Sequence, residues 1–128
     1  MSQSRQMDPM PKPPEAAKTA FVALVPTNAG VSTRPMFGNQ AAFVNGNMFA
    51  GLFGDRLFVR VSDADRATLM REGGSDFEPM PGRAMKGYTV LPEGWITDNE
   101  GSTRWVEAAF RFTAALPVKE KKPKRGGR

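Results

Sequence analysis

The dipeptide Asn45-Gly46, placed between two apolar segments, constrains the fold of this chain more than any other feature. Asn-Gly best satisfies the two positive φ angles of a type I′ hairpin turn, so the flanking segments are predicted to be paired antiparallel strands. A second two-residue connection follows at Gly54-Asp55. The stretch 34–61, RPMFGNQAAFVNGNMFAGLFGDRLFVRV, is therefore predicted to form an antiparallel meander of three or four strands.

Two tight connections also determine which side chains share a face of the sheet, because they pair position 43 with 48 and position 52 with 57. One face is predicted to be the core, with Phe43, Met48, Ala50, Leu52, Leu57, Val59 and Val61. The other carries Ala42, Val44, Phe49, Gly51, Phe53, Phe58 and Arg60. Gly51 opposite Phe58 leaves room for the ring, so we expect the chain termini, a helix or a partner to cover this face in part. Its phenylalanines Phe49, Phe53 and Phe58 are the predicted partner face.

The rest of the chain predicts three helices and further strand. Helices are predicted at about 14–25, 63–72 and 102–116 from apolar spacing and from end signals such as a capping serine, Ser62. The region 77–90 alternates in polarity and is limited by prolines, which predicts one or two strands beside the meander. The expected fold class is α+β, with an antiparallel sheet of about five strands and three helices.

Charge and proline content divide the chain into three parts. Four prolines between Pro9 and Pro14 predict a disordered arm at 1–14, followed by a folded domain at 15–116. The segment 117–128 holds six of the eighteen basic and one of the thirteen acidic residues, so this predicted disordered tail carries +5 while the rest is neutral. Any attraction to nucleic acid is expected to be weak, salt-sensitive and located in the tail. Its basic residues are Lys119, Lys121, Lys122, Lys124, Arg125 and Arg128.

The residue inventory excludes several classes of chemistry. The chain has no cysteine and no histidine, which removes disulfides, thiol chemistry, Ser-His-Asp hydrolysis and zinc sites of the usual type. We expect no catalytic residues, no metal and no cofactor. The twenty residues of 35–54 carry no charge, but their glycines, asparagines and proline make a membrane helix improbable. With no apolar leader at the N-terminus, a cytoplasmic protein without membrane contact is expected.

A few side chains remain as candidates for binding. Arg34, Arg60, Arg83 and Lys86 can converge on a phosphate or carboxylate if the strand after the meander lies beside it. The alternative is a set of solvated charges that protect strand edges from aggregation. Tyr88 lies in the same region and is interpreted either as a member of such a site or as an aromatic residue of the core or its rim.

The order and spacing of several motifs resemble the opening meander of the TfoX N-terminal domain family. The motifs are Arg34, Met36-Phe37-Gly38, Phe43-Val44-Asn45-Gly46, Met48-Phe49-Ala50 and Leu57-Phe58-Val59-Arg60-Val61, with Met85, Tyr88, Leu91 and Pro92 further on. The resemblance covers about 15–116. The chain departs from the family pattern at Pro35, Asn39, Phe43, Asn45 and Phe58. The departure at Pro35 removes a guanidinium, and those at Phe43 and Phe58 remove two hydroxyls.

The resemblance implies a regulatory family. Members with an additional C-terminal helical domain regulate DNA-transformation competence in bacteria, whereas single-domain members, which this chain resembles in length, lack an assigned activity. We expect a non-enzymatic regulatory or adaptor domain that contacts a protein partner or a second copy of itself, with weak nucleic-acid association through the tail. The alternative is a small-molecule or anion-binding domain that uses Arg34, Arg60, Arg83 and Tyr88.

Overall fold

The computed structural model describes residues 15–37 and 39–117 and has the predicted α+β fold. The helices are α1 (Glu15–Leu24), α2 (Asp63–Arg71) and α3 (Asn99–Ala114). The strands are β1 (Val31–Met36), β2 (Asn39–Val44), β3 (Asn47–Phe53), β4 (Arg56–Arg60), β5 (Ser75–Asp76) and β6 (Tyr88–Val90). They form one antiparallel sheet of six strands, one more than expected, in the order β1-β2-β3-β4-β6-β5. The predicted arm at 1–14 lies outside the described residues.

Both predicted hairpin turns are present in the meander. Asn45 and Gly46 have φ angles of 53° and 83°, as a type I′ turn requires. The predicted pairs of position 43 with 48 and position 52 with 57 are both confirmed. The local turn chemistry therefore sets the register at each end of β3.

Within the β2–β3 pairing, the register shifts by one residue between Ala42 and Phe43. Ala42 pairs with Ala50 and Phe43 pairs with Met48, which leaves Phe49 as the extra residue of a β-bulge. Phe49 and Ala50 consequently point to the same side of the sheet, although they are neighbours in the chain. The predicted faces are wrong for the five residues beyond this point, Ala42, Phe43, Val44, Met48 and Phe49, because strict alternation across the bulge does not hold.

One side of the sheet, the helix face, packs against all three helices. Ser62 caps α2 as predicted by accepting a hydrogen bond from the Asp65 backbone N–H. The helix α3 begins three residues earlier than predicted because the Asp98 side chain accepts a hydrogen bond from the Gly101 N–H at 3.1 Å. The buried residues of the helix face are Ala17, Phe21, Ala42, Val44, Phe49, Ala50, Leu52, Leu57, Val59, Val61, Leu69, Leu91, Trp95, Trp105, Val106 and Ala109.

The opposite side, the aromatic face, is covered by the chain's own segment 77–88. The Phe77 ring stacks on the Phe58 ring with 4.1 Å between centroids, and the Phe37 ring meets both edge-on. The expected cover by the termini, a helix or a partner is thus replaced by an irregular loop. The predicted strand in this region shortens to Tyr88–Val90 because the loop must lie over the rings. The buried residues of this face are Ala41, Phe43, Met48, Phe58, Phe77 and Val90.

Replacing Gly51 by alanine is expected to destabilise the fold by about 1–3 kcal/mol, the usual range for overpacking a filled core. Gly51 pairs with Phe58, and an added Cβ would lie 2.5 Å from Cζ of that ring. Urea denaturation of Gly51→Ala measures the loss. Gly51→Ala should cost less stability when it is introduced into Phe58→Leu than when it is introduced into the unaltered protein, because the ring that the added Cβ meets is then absent. Equal denaturation midpoints for Gly51→Ala and the unaltered protein would contradict the assigned contact.

Candidate functional site

The aromatic face contains a paired arginine and tyrosine, Arg60 and Tyr88. They are cross-strand partners on β4 and β6, and the guanidinium carbon lies 5.7 Å from the centroid of the tyrosine ring. The tyrosine hydroxyl donates a hydrogen bond to the backbone carbonyl of Met48 at 3.0 Å, reaching past β4 to β3. These contacts hold the arginine over a fixed ring, so its remaining N–H groups are available to a ligand at a small entropic cost.

A groove of about 560 Å³ lies beside this pair. Arg66 and Asp76 form an ion pair on one wall, which cancels their charges. Among the described residues neither Lys86 nor Arg60 takes part in an ion pair. The two charges of the lining that are in no ion pair of the described residues are therefore Lys86, on the Tyr88 side, and the Asp63 carboxylate. Its lining is Asp63, Arg66, Asp76, Ala84, Met85, Lys86, Gly87 and Tyr88.

Burial raises the pKa of the Tyr88 hydroxyl above its ordinary value of 10.0, and the positive charge of Arg60 opposes the shift. The hydroxyl is consequently protonated at neutral pH and donates a hydrogen bond to the Met48 carbonyl. It can still accept a hydrogen bond from a ligand. A raised pKa makes it a poor general base, so the pair is suited to binding an anion rather than to abstracting a proton.

The predicted four-residue cationic site is not assembled. Arg34 lies on β1 with its guanidinium carbon 4.0 Å above the Phe43 ring, and three strand spacings, about 14 Å, separate β1 from the strand of Arg60. Arg83 is exposed in a turn closed by its backbone pairing with Met80. Of the residues predicted to bind a ligand, Arg34, Arg60, Arg83 and Tyr88, only Arg60 and Tyr88 lie next to each other. The order of the strands in the sheet, and not the spacing in the sequence, sets these distances.

The predicted partner face is largely inaccessible. Phe49 is fully buried on the helix face, where its ring meets the Phe110 ring at 5.6 Å. Phe58 is 1% exposed beneath Phe77. Phe53 is only half-buried at the rim of the aromatic cluster. The prediction that these three rings share one face is wrong for Phe49, which the bulge moves to the helix face, and segment 77–88 covers Phe58 on the face where it was predicted.

A cleft between α1 and α3 is a feature that sequence reasoning missed. Its volume is about 580 Å³, and its apolar floor includes Leu24 and Ile96, both only partly buried. The floor is anchored by Trp95, whose indole N–H donates to the backbone carbonyl of Asp55 at 2.8 Å. The alanines of α1 are a sequence signal for one wall of the cleft. The position of the other wall, on α3, depends on how the 92–98 connection folds. The remaining lining residues are Ala20, Ala23, Asn99, Glu100, Thr103, Arg104 and Glu107.

The tail residues predicted to bind nucleic acid, Lys119, Lys121, Lys122, Lys124, Arg125 and Arg128, lie outside the described residues. The position from which the tail departs is defined, because the Asn47 side chain donates a hydrogen bond to the Pro117 carbonyl at 3.1 Å. Within 15–37 and 39–117, no three or more acidic side chains are grouped as a metal site would require. No helix in those ranges is long and apolar enough to cross a membrane.

Comparison with known proteins identifies one family. The family model described as the TfoX N-terminal domain matches residues 23–113, a range that contains all six strands and α2. No curated protein matches the chain. The Arg60–Tyr88 pair and most of the α1–α3 cleft lie inside the matched range.

Titration of Tyr88, the chain's one tyrosine, is expected to show a midpoint above 10.0. Removing the positive charge in Arg60→Gln should raise the midpoint further, while Arg71→Gln on α2 should leave it unchanged. The ultraviolet absorbance of tyrosinate follows the titration. Because the folded pKa is raised, the stability due to Tyr88 is complete below the unfolded pKa and is lost as pH rises through the folded one. A lower midpoint in Arg60→Gln would contradict this account.

Proposed function

We propose that this chain, which belongs to the TfoX N-terminal domain family, is a non-enzymatic regulatory or adaptor domain that acts by contact with a protein partner. The observation that carries the proposal is the α1–α3 cleft, which the residues of 15–37 and 39–117 leave open. Its occupant is an amphipathic helix, contributed by another protein or by a second copy of this chain. The resemblance attaches the regulation of DNA-transformation competence to members with a second domain, and we do not propose that role for this chain.

The chemistry of the cleft favours a helix over a small molecule. A groove between two helices, with an apolar floor, fits the apolar stripe of a third helix. Its polar groups are long, solvent-exposed side chains: Arg104 and Glu107 are 65% and 56% exposed. Such side chains are typical of the rim of a protein interface, whereas small-molecule sites enclose a few fixed polar groups.

Charge at the rim indicates which helix fits. Arg104 lies 4.0 Å from Glu72, and Glu107 lies 3.8 Å from Arg111, so these charges are already balanced. Glu100, in the first turn of α3, has no ion-pair partner among the described residues. The partner helix is therefore expected to place a lysine or arginine near Glu100, beside its apolar stripe.

The proposal also includes a cytoplasmic location and weak nucleic-acid association through the basic tail. The tail concentrates +5 of charge within twelve residues, while the remaining acidic and basic residues balance. A short, strongly basic segment on a neutral body attracts phosphate backbones without reading their sequence. Weak, salt-dependent retention on DNA follows from that distribution.

A photo-crosslinking amino acid at position 23, on the cleft wall, is expected to give a discrete adduct in cells. The same amino acid at position 22 is the matched control, because Val22 is 67% exposed on α1 but does not line the cleft. Mass spectrometry of the adduct identifies a partner protein or a second copy. Identical adducts from both positions, or none from position 23, would contradict a partner in the cleft.

A second candidate function, small-molecule or anion binding, is favoured by the Arg60–Tyr88 pair and the groove beside it. Two cations without ion-pair partners among the described residues, Arg60 and Lys86, lie close to an aromatic ring and a hydroxyl. Phosphate and carboxylate groups satisfy such donors with charge-assisted hydrogen bonds. The groove volume of about 560 Å³ also falls within the range typical of small-ligand sites.

Phosphate, pyrophosphate and nucleotides are therefore expected to stabilise the protein against heat. A ligand present at a hundred times its dissociation constant adds about 2.7 kcal/mol, which a thermal-shift assay resolves. Lys86→Gln should reduce the shift, whereas Lys18→Gln, an exposed position on α1, should not. Absence of a shift with every anion, or an equal shift in both variants, would contradict the site.

A further inference from the structure

A pocket of about 180 Å³ opens on the aromatic face between the β3–β4 turn and the edge strand β5. It differs from the groove of about 560 Å³ described above, since Asp76 is the one residue that lines both. The register places its walls on one side of the sheet, because Ser75 pairs with Val90 and Val90 pairs with Phe58. Arg56, two residues before Phe58 on β4, points to the same side. We call this cavity the Arg56 pocket.

The apolar wall of the Arg56 pocket consists of fixed aromatic rings. The Phe77 ring stacks on the Phe58 ring with 4.1 Å between centroids and meets the Phe53 ring edge-on at 5.7 Å. Phe58 and Phe77 are each 1% exposed, so their neighbours hold them in place. A cavity of roughly 150 Å³ holds a benzene molecule, so the Arg56 pocket has room for an apolar group of that size or smaller.

The polar wall contains the half-buried guanidinium of Arg56. One of its five N–H donors is used by the Leu91 backbone carbonyl, at 2.9 Å, and this bond fixes the group at the pocket. Within the part of the chain that the structure describes, Nε is buried without a hydrogen-bond partner and the side chain is in no ion pair. The guanidinium is thus a positioned cation whose donors are not all used, and a carboxylate is the acceptor that fits it in charge and shape.

Two acidic side chains also line the Arg56 pocket, and they differ in their partners. Asp76 forms an ion pair with Arg66. Glu78 is exposed at the mouth and belongs to no ion pair of 15–37 and 39–117. The lining therefore presents one unpaired cation, Arg56, and one unpaired anion, Glu78. A simple anion would be repelled by the second and a simple cation by the first, whereas a ligand with both charges complements the two.

We infer that the Arg56 pocket binds a small apolar α-amino acid. Its carboxylate accepts hydrogen bonds from the Arg56 guanidinium, its ammonium group donates to the Glu78 carboxylate, and its side chain packs against the rings of Phe53 and Phe77. Both charged groups of an α-amino acid are attached to one carbon, so a pocket of this size accommodates them together with a short apolar side chain. The site is one for binding and requires no reaction.

The test uses isothermal titration calorimetry of the full chain with L-leucine. Two analogues each lack one charged group: 4-methylpentanoate has no ammonium, and 3-methylbutylamine has no carboxylate. Leucine is expected to bind at one site per chain, and each analogue is expected to bind more weakly by about tenfold or more, because each loses a hydrogen bond between charged groups.

Variants assign the two charges to their residues, with circular dichroism to confirm that each is folded. Glu78→Gln changes an exposed side chain and should weaken leucine binding by about tenfold or more without weakening 4-methylpentanoate. Arg56→Gln should weaken both ligands. Lys86→Gln, in the neighbouring groove, is the matched control and should leave the affinity for leucine unchanged.

Three results would overturn the inference. Failure of the unaltered protein to bind millimolar leucine would remove the site. Equal affinity for leucine and 4-methylpentanoate would show that the ammonium group is not recognised and that the ligand class is wrong. Equal leucine affinity in the unaltered protein and in folded Glu78→Gln would place the bound molecule elsewhere.

Discussion

The bulge at Phe49 is the feature on which both layers of the structure depend. By placing Phe49 and Ala50 on one side, it lets β3 contribute to the helix face along its whole length. It also returns the Met48 side chain to the aromatic face. The backbone carbonyl of Met48 accepts a hydrogen bond from the Tyr88 hydroxyl. Without the extra residue, everything on the turn side of β3 would exchange faces. The contact of Phe49 with Phe110, and hence the seating of α3, follows from this one irregularity.

On the aromatic face, backbone strain at Phe37 is offset by the contacts of its ring. Phe37 has a φ of 56°, in the left-handed region, which costs a non-glycine residue about 1–3 kcal/mol. Its ring makes edge-on contacts with Phe53, Phe58 and Phe77 at 5.5–6.2 Å between centroids. Aromatic pairs contribute about 0.5–1.5 kcal/mol each beyond the area they bury, so three contacts can balance the strain. The aromatic cluster thus holds Phe37, directly after β1, in a backbone conformation that the residue would not adopt alone.

Local chemistry made much of the fold predictable, and long-range placement did not. The Asn45-Gly46 turn, the Ser62 cap and the space that Gly51 leaves for Phe58 depend on near neighbours or on one strand pair. The bulge was not predictable because every residue near it is apolar, so neither register violates the pattern of hydrophobicity. The α1–α3 cleft depends on helices more than seventy residues apart. Arg60 and Tyr88 are neighbours because their strands are adjacent, whereas Arg34 lies on a strand whose distance from them the sequence does not encode.

The order of the strands has a consequence for how the chain acquires its structure during synthesis. The meander β1 to β4 is complete by residue 60, but the ring that covers its aromatic face is Phe77, and α3 covers its other face only from residue 99 onward. A nascent chain that ends between these points leaves the aromatic face uncovered, and on the other face α1 is the one helix that precedes the meander. A ribosome that pauses near the α2 codons therefore presents chaperones with an exposed apolar sheet surface that only later residues can cover.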